Sequence, residues 1–479
     1  MLVFGNVATA FAETLPDGTK QAGDNAPKTE LTVKEIDPDS TGVKKLGDGF
    51  EKPADQQPEK LYDDDDIVRV SIRLSKDSVL EAGYPIEDIA YNKKAVSYRK
   101  NVAKQQTTVT KKIERKLDIK LDVVWNLTLA TNMISANVRY GDIDAIRKIA
   151  GVVDVFLENH YEVEKDDSDP DTAITAQYMT YAAYAWAMGY TGAGSKIAII
   201  DTGTNQDHIS FDPDALEYSL TRDGKTLDDY DLLTLKDVEE LLPQLNANNK
   251  ETQHNISSAE DAYKNLKIPF AYNYVDGGFI TDHDHDNQGE HGSHVSGIAA
   301  ANYYVKVDGQ FVEAIDSVYA VGMAPDAQIL TMKVFGENGG ASDSDYMAAI
   351  EDAIILGADS INLSLGSPNG FSFAEGYQEV MDSLVESGAV VTISAGNNYG
   401  FLDFNDLGST MPYATDNNLN TAGMPGSYIN SLSVAAADNV GGVGTPLIFN
   451  GARKAYYTQT QNSGADMVTI AGDYKYVYI

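Results

Sequence analysis

The sequence predicts an open, doubly wound α/β sheet of parallel strands, preceded by a smaller α+β unit of the split βαβ, ferredoxin-like kind. Two observations carry this. In the second half of the chain four short, nearly continuous apolar runs (KIAIID, QILTMKV, SINLSLG and AVVTISAG) alternate with helical stretches, as strands buried on both faces do. Ahead of them the pattern differs, with period-2 strands and two helices in the order β-α-β-β-α-β.

Taken in order, residues 1–12 are apolar and end on Ala10-Phe11-Ala12, the small-x-small pattern that precedes a signal-peptidase cut, so they read as the remnant of a signal peptide. Residues 13–60 are rich in Pro, Gly, Asp, Lys and Gln without a period and read as a disordered linker. The α+β unit spans 61–164. Its first strand is the alternating run from Ile67 to Leu74, and a charged helix is expected over Lys93 to Leu117. LDVVWNLTLA and NMISANVRY form a hairpin divided at Thr131-Asn132, DIDAIRKIAG a short helix ending on Gly151, and VVDVFLE the closing strand. A polar, cuttable stretch follows.

The α/β unit is expected over 165–450. Its clearest helix starts at Ser342-x-x-Asp345, a capping signal, and carries apolar residues at 346, 347, 350, 354 and 355. Residues about 216–265 read as helical, and the end of 451–479 alternates as strands do.

Composition limits the function classes. The chain has 72 Asp and Glu against 36 Lys and Arg, a formal charge of −36, which argues against a nucleic-acid partner. With no cysteine, disulfides, thiolate zinc sites and thiol nucleophiles are excluded. No apolar run reaches the length of a membrane span.

In doubly wound sheets reactive groups collect at the carboxyl ends of strands. Asp201 ends KIAIID, where its carboxylate could orient an imidazole. His291, opening a helix in GEHGSHVSGIAAAN, could be that imidazole, and Asn397 ends AVVTISAGNN as a neutral donor for an oxyanion. Zinc binding by His283, His285, His291 and His294 is a second reading of the same histidines, although H-x-x-H lacks the glutamate and the i, i+4 spacing of a zinc helix. The run DHDHD is expected to be a solvated loop.

IIDTG with Asp201, HGSHVSGI with His291 and SAGN with Asn397, in that order, resemble the subtilisin-like serine peptidases, in particular the large secreted or cell-envelope type that includes lactocepins and streptococcal C5a peptidases. The resemblance covers roughly 66–479. It implies a subtilisin-like sheet, Asp-His-Ser acyl transfer on protein or peptide substrates, and secretion or attachment to a bacterial cell envelope. It also implies that 61–164 is an inhibitory propeptide that chaperones folding, an intramolecular partner whose tail from Asn159 runs along Ser364, Leu365 and Gly366. Ser394, Ala395 and Gly396 should flank the substrate opposite. His291 is then the base, His294 is expected to pack, about 216–265 is an insertion at the rim of the cleft, and 451–479 is the start of a protease-associated inserted domain.

The chain departs from the family pattern in several places. Ser293 stands where threonine is usual, and Ser210 where a calcium aspartate is usual, so no cofactor is certain and calcium is the one left open. The nucleophile motif G-T-S-M-A-x-P does not occur; GSTMPYA from Gly408 comes only eleven residues after Asn397 and leads into a turn-like run. The serine is expected beyond residue 479, in a longer protein, and this chain alone is expected to be inactive. The alternative is a non-catalytic pseudopeptidase that acts as a surface binding protein.

Overall fold

The computed structural model describes residues 62–161, most of 176–437, and two strands at 446–449 and 453–456; within the second range 178, 250–251, 283–285, 287, 317–319, 338, 367–374, 397–421 and 429 are outside it. The signal-peptide remnant, the linker 13–60, Asn397, GSTMPYA and the terminal alternating run therefore lie outside the described residues.

The N-terminal unit contains β1 (Ile67–Leu74), α1 (Lys93–Leu117), β2 (Asp122–Leu127), β3 (Met133–Arg139), α2 (Ile143–Arg147) and β4 (Val152–Leu157). Its sheet is antiparallel in the order β2-β3-β1-β4, the ferredoxin-like order. Helix α1 starts because the Asn92 side chain accepts from the Lys94 and Ala95 amides, and it stops where Asp118 turns left-handed. Its buried stripe, Ala95, Val102, Gln106, Val109 and Ile113, covers one face of the sheet. Helix α2 ends at Arg147, short of Gly151, because a tight turn from Ile146 to Val152 closes it.

Strand alternation sends Val68, Val70 and Ile72 toward that helical face and Arg69, Ser71 and Arg73 to the other. That second face is covered too. It lies on the α/β unit, which explains why a strand can carry arginine and serine and still be buried.

The α/β unit follows β5 (His160–Tyr161) and α3 (Ala182–Ala187). It runs β6 (Lys196–Asp201), α4 (Pro213–Thr221), α5 (Leu235–Leu241), α6 (Ala259–Ala262), β7 (Phe270–Asn273), α7 (His291–Ala300), the hairpin β8 (Tyr304–Val307) and β9 (Gln310–Glu313), and β10 (Gln328–Lys333). Then come β11 (Ala341–Ser342), α8 (Asp343–Ile355), β12 (Ser360–Leu363), α9 (Glu375–Glu386), β13 (Val391–Ser394) and β14 (Leu432–Val434). The central sheet is wholly parallel, in the order β14-β13-β12-β6-β10-β7. All four apolar runs form strands in it. The two edge strands are less legible, since FAYN carries an asparagine and LSV is only three residues long.

Helix α8 starts with the expected capping box between Ser342 and Asp345. It is not half-solvated: all thirteen residues are buried, because the N-terminal sheet covers the side that a surface helix would give to water. Its acids are paired accordingly. Arg69 reaches Asp345 at 2.7 Å, the Trp125 indole donates to Asp345 at 2.8 Å, and Glu351 accepts the Leu129 and Ala130 amides at 2.7 and 2.8 Å. Asp343 accepts from the Asn159 amide at 2.7 Å and the Tyr161 hydroxyl at 2.6 Å.

The tail beyond Asn159 does not meet Ser364–Gly366 within the described residues. Instead His160 and Tyr161 pair antiparallel with Ser342 and Ala341. Gly340, at φ 50°, makes room for this, since a Cβ there would overlap the His160 ring.

Candidate active site

Asp201 is the last residue of β6 and is fully buried, in register with Lys333 at the end of β10. The chain must turn sharply to leave the sheet there. Gly203 does so at φ 112°, where a Cβ would strike the Thr281 carbonyl. His291 is the first residue of α7, and its Nδ1–H donates to Asp201 Oδ1 at 2.8 Å.

Thr202 joins the two elements. Its amide donates to Asp201 Oδ1 at 2.6 Å, and its hydroxyl accepts the Gly292 amide at 2.8 Å. Lys333 Nζ donates to the Thr202 carbonyl and to Asp286 Oδ2, the latter at 2.5 Å. Ser293 keeps the hydroxyl of the expected threonine and accepts the Asn205 amide at 2.7 Å. Thr204 and Ser296 pair through their hydroxyls at 2.8 Å. The aspartate turn and the histidine helix are thus stitched together by short polar side chains, which hold the imidazole in one orientation.

His294 is exposed, contrary to the expectation that it packs: α7 buries Gly292, Ser296 and Ala300, and position 294 points away from that stripe. Asp286 departs from the solvated loop expected for DHDHD, its side chain being only 4% exposed against Lys333. His283 and His285 lie outside the described residues. Among the described residues no group of three or more His, Asp or Glu side chains is placed to hold a metal ion. Ser210 is buried, with its amide donating to His208 Nδ1 at 3.2 Å.

The ends of β12 and β13 are neighbours, Leu363 facing Ile393, so Ser364–Gly366 and Ser394–Gly396 lie side by side. The Ser394 hydroxyl donates to the Leu365 carbonyl at 3.1 Å, and Ser364 accepts from Asn362 at 2.9 Å. The Ala395 amide donates to Val434 at 2.8 Å and its carbonyl accepts from Gly423 at 2.9 Å, so that peptide is used inside the protein.

The model of the subtilase family matches residues 192–472, more than half the chain. The chain belongs to the subtilase family. This subtilase is 31% identical over 314 residues to the PI-type proteinase of Lactococcus lactis subsp. cremoris, covering 64% of this chain and 14% of that protein. It is 30% identical over 251 residues to the C5a peptidase of Streptococcus pyogenes serotype M6, covering 51% of this chain and 18% of the other. With the minor extracellular protease Vpr of Bacillus subtilis it shares 25% identity over 370 residues, 74% of this chain and 37% of Vpr. The subtilase chain thus spans well under half the length of each of these relatives.

Sequence reasoning missed Thr202, Lys333 and Asp286, and the buried acids of α8. A signal existed for some of them. A lysine that ends the wholly buried strand QILTMK, and four acids within a helix of small and apolar residues, are both polar groups placed where burial requires a partner.

Proposed function

We infer that this chain supplies the base and its orienting carboxylate to a serine endopeptidase precursor. The observation that carries this is the 2.8 Å hydrogen bond from His291 Nδ1 to buried Asp201. It sets the imidazole tautomer so that Nε2 takes the proton of a serine hydroxyl as it attacks a peptide carbonyl, and Asp201 stabilises the imidazolium that forms. Asn397 is assigned to the oxyanion, and Ser364–Gly366 to backbone pairing with an extended peptide substrate that Ser394–Gly396 flanks. The nucleophile is assigned to a serine outside these 479 residues, because G-T-S-M-A-x-P does not occur among them. The names of the relatives, a proteinase, a C5a peptidase and an extracellular protease, support protein substrates and a secreted location.

Residues 61–164 are read as the inhibitory propeptide. The ferredoxin-like sheet order, the pairing of β5 with β11, and the cuttable stretch that follows support this. Hydrolysis of a peptide–nitroanilide library by the whole protein, with and without this unit, tests both statements. No hydrolysis in either form sinks the peptidase reading; equal hydrolysis in both sinks the inhibitory one.

A further inference from the structure

The insertion between Asp201 and His291 spends its polar groups on the N-terminal unit. Arg99, on α1, donates to the Gln244 carbonyl at 2.7 Å and to Asn246 Oδ1 at 3.3 Å, while its Nε donates to Thr128 at 2.8 Å. In return Gln244 Nε2 donates to the Ala90 carbonyl at 3.0 Å. The His254 ring stacks on that of Trp125 with centroids 3.7 Å apart and planes 18° apart, and both side chains are fully buried. Leu241 and Leu245 share one apolar cluster with Ile89 and Trp125.

The same loop is anchored on α8. The Asn246 and Ala247 amides donate to Asp352 at 2.6 and 2.9 Å, and Asn246 Nδ2 donates to Glu351 at 3.0 Å. Glu351 is also the carboxylate that accepts the Leu129 and Ala130 amides. One acid therefore ties insertion and N-terminal unit to the same helix. A loop that served only to meet substrate would have no need of these contacts.

We propose that residues about 233–256 are a docking surface whose partner is this chain's own N-terminal unit, and that they retain residues 62–161 on the α/β unit once the intervening stretch is cut. This rests on reading 62–161 as a unit separated by cleavage. It does not depend on peptidase activity, because the readout is physical retention.

The test uses the full chain with the site of a highly specific endoprotease placed at 166–171. After cutting, release of the N-terminal fragment on dilution is followed by gel filtration. The uncut variants are first compared with the parent by circular dichroism. The parent retains the fragment, whereas Arg99→Met and His254→Ala release it roughly 10- to 100-fold faster, the loss expected for charge-assisted and buried contacts. Arg222→Gln, in the insertion but stacked 4.8 Å over Tyr304 of β8, releases at the parent rate. Should a buried change prevent folding, Gln244→Met removes only the bond to Ala90 and releases the fragment measurably faster. Parent-like release by the Arg99, His254 and Gln244 variants, or equally fast release by Arg222→Gln, overturns the proposal.

Discussion

Lys333 and Asp286 form a buried ion pair, Nζ to Oδ2 2.5 Å, at the strand end beside Asp201. Lys333 also holds the Thr202 carbonyl, so one ammonium links the loop before His291 to the turn after Asp201. Breaking one side of a buried pair leaves a charge without compensation, at a cost of about 3–5 kcal/mol. Lys333→Met should lose about that much in urea unfolding. Lys333→Met combined with Asp286→Leu should regain most of it. A single variant as stable as the parent would show that the pair has no such role.

The two histidines of H-G-x-H separate by burial and partner. In the active whole protein His291→Ala should lower kcat by roughly 10⁴-fold or more, by the precedent of bases in such triads. Exposed His294→Ala should stay within about threefold, as surface changes do. Steady-state kinetics on both variants decides this, and equal losses would mean that the base has been misassigned.

A fluorophosphonate probe should label no serine in the 479-residue chain, since the nucleophile motif does not occur in it. Mass spectrometry of the treated chain is the measurement. Modification of any serine, with Ser409 the first to inspect, would contradict the assignment of the nucleophile.

His254 gives the N-terminal junction a pH dependence. Burial first, and the charge of Arg69 second, hold its imidazole down at about 3. An unfolded histidine takes a proton near ~6.5. Between those values the unfolded chain binds the extra proton, so this contribution to stability is present above about pH 6.5 and is lost as pH falls, by at most about 1.4 kcal/mol per unit. Asp343 and Asp352, pushed up to about 7 by burial, act in the opposite sense, losing stability as pH rises from about 4 to 7. Subtracting the unfolding curve of His254→Phe from that of the parent isolates the histidine. The difference should shift in favour of the parent as pH rises from 4 to 6, and a flat difference would refute it.

Much of the architecture was legible because it is local. The alternation from Ile67 to Leu74 and the helical stretch from Lys93 to Leu117 form over those same residues, since side-chain period and capping act within one element. The four apolar runs became parallel strands for the same reason, and Asp201 stands out because it ends one of them. The packing of His294 was misjudged: the sequence does not say which side of a short helix of small residues meets the sheet.

What the sequence determined by itself is therefore the N-terminal elements and their order, the four inner strands of the parallel sheet, helix α8, and the residues at the strand and helix ends where Asp201 and His291 meet. Tertiary structure alone decided that α8 is buried all round, that Arg69 pairs with Asp345 at a separation of 276 residues, and that the insertion faces the N-terminal unit. The physical reason is that periodicity encodes which side of an element avoids water, while a buried charge is tolerated only where a distant partner arrives to meet it. The identity of that partner depends on how the two units pack.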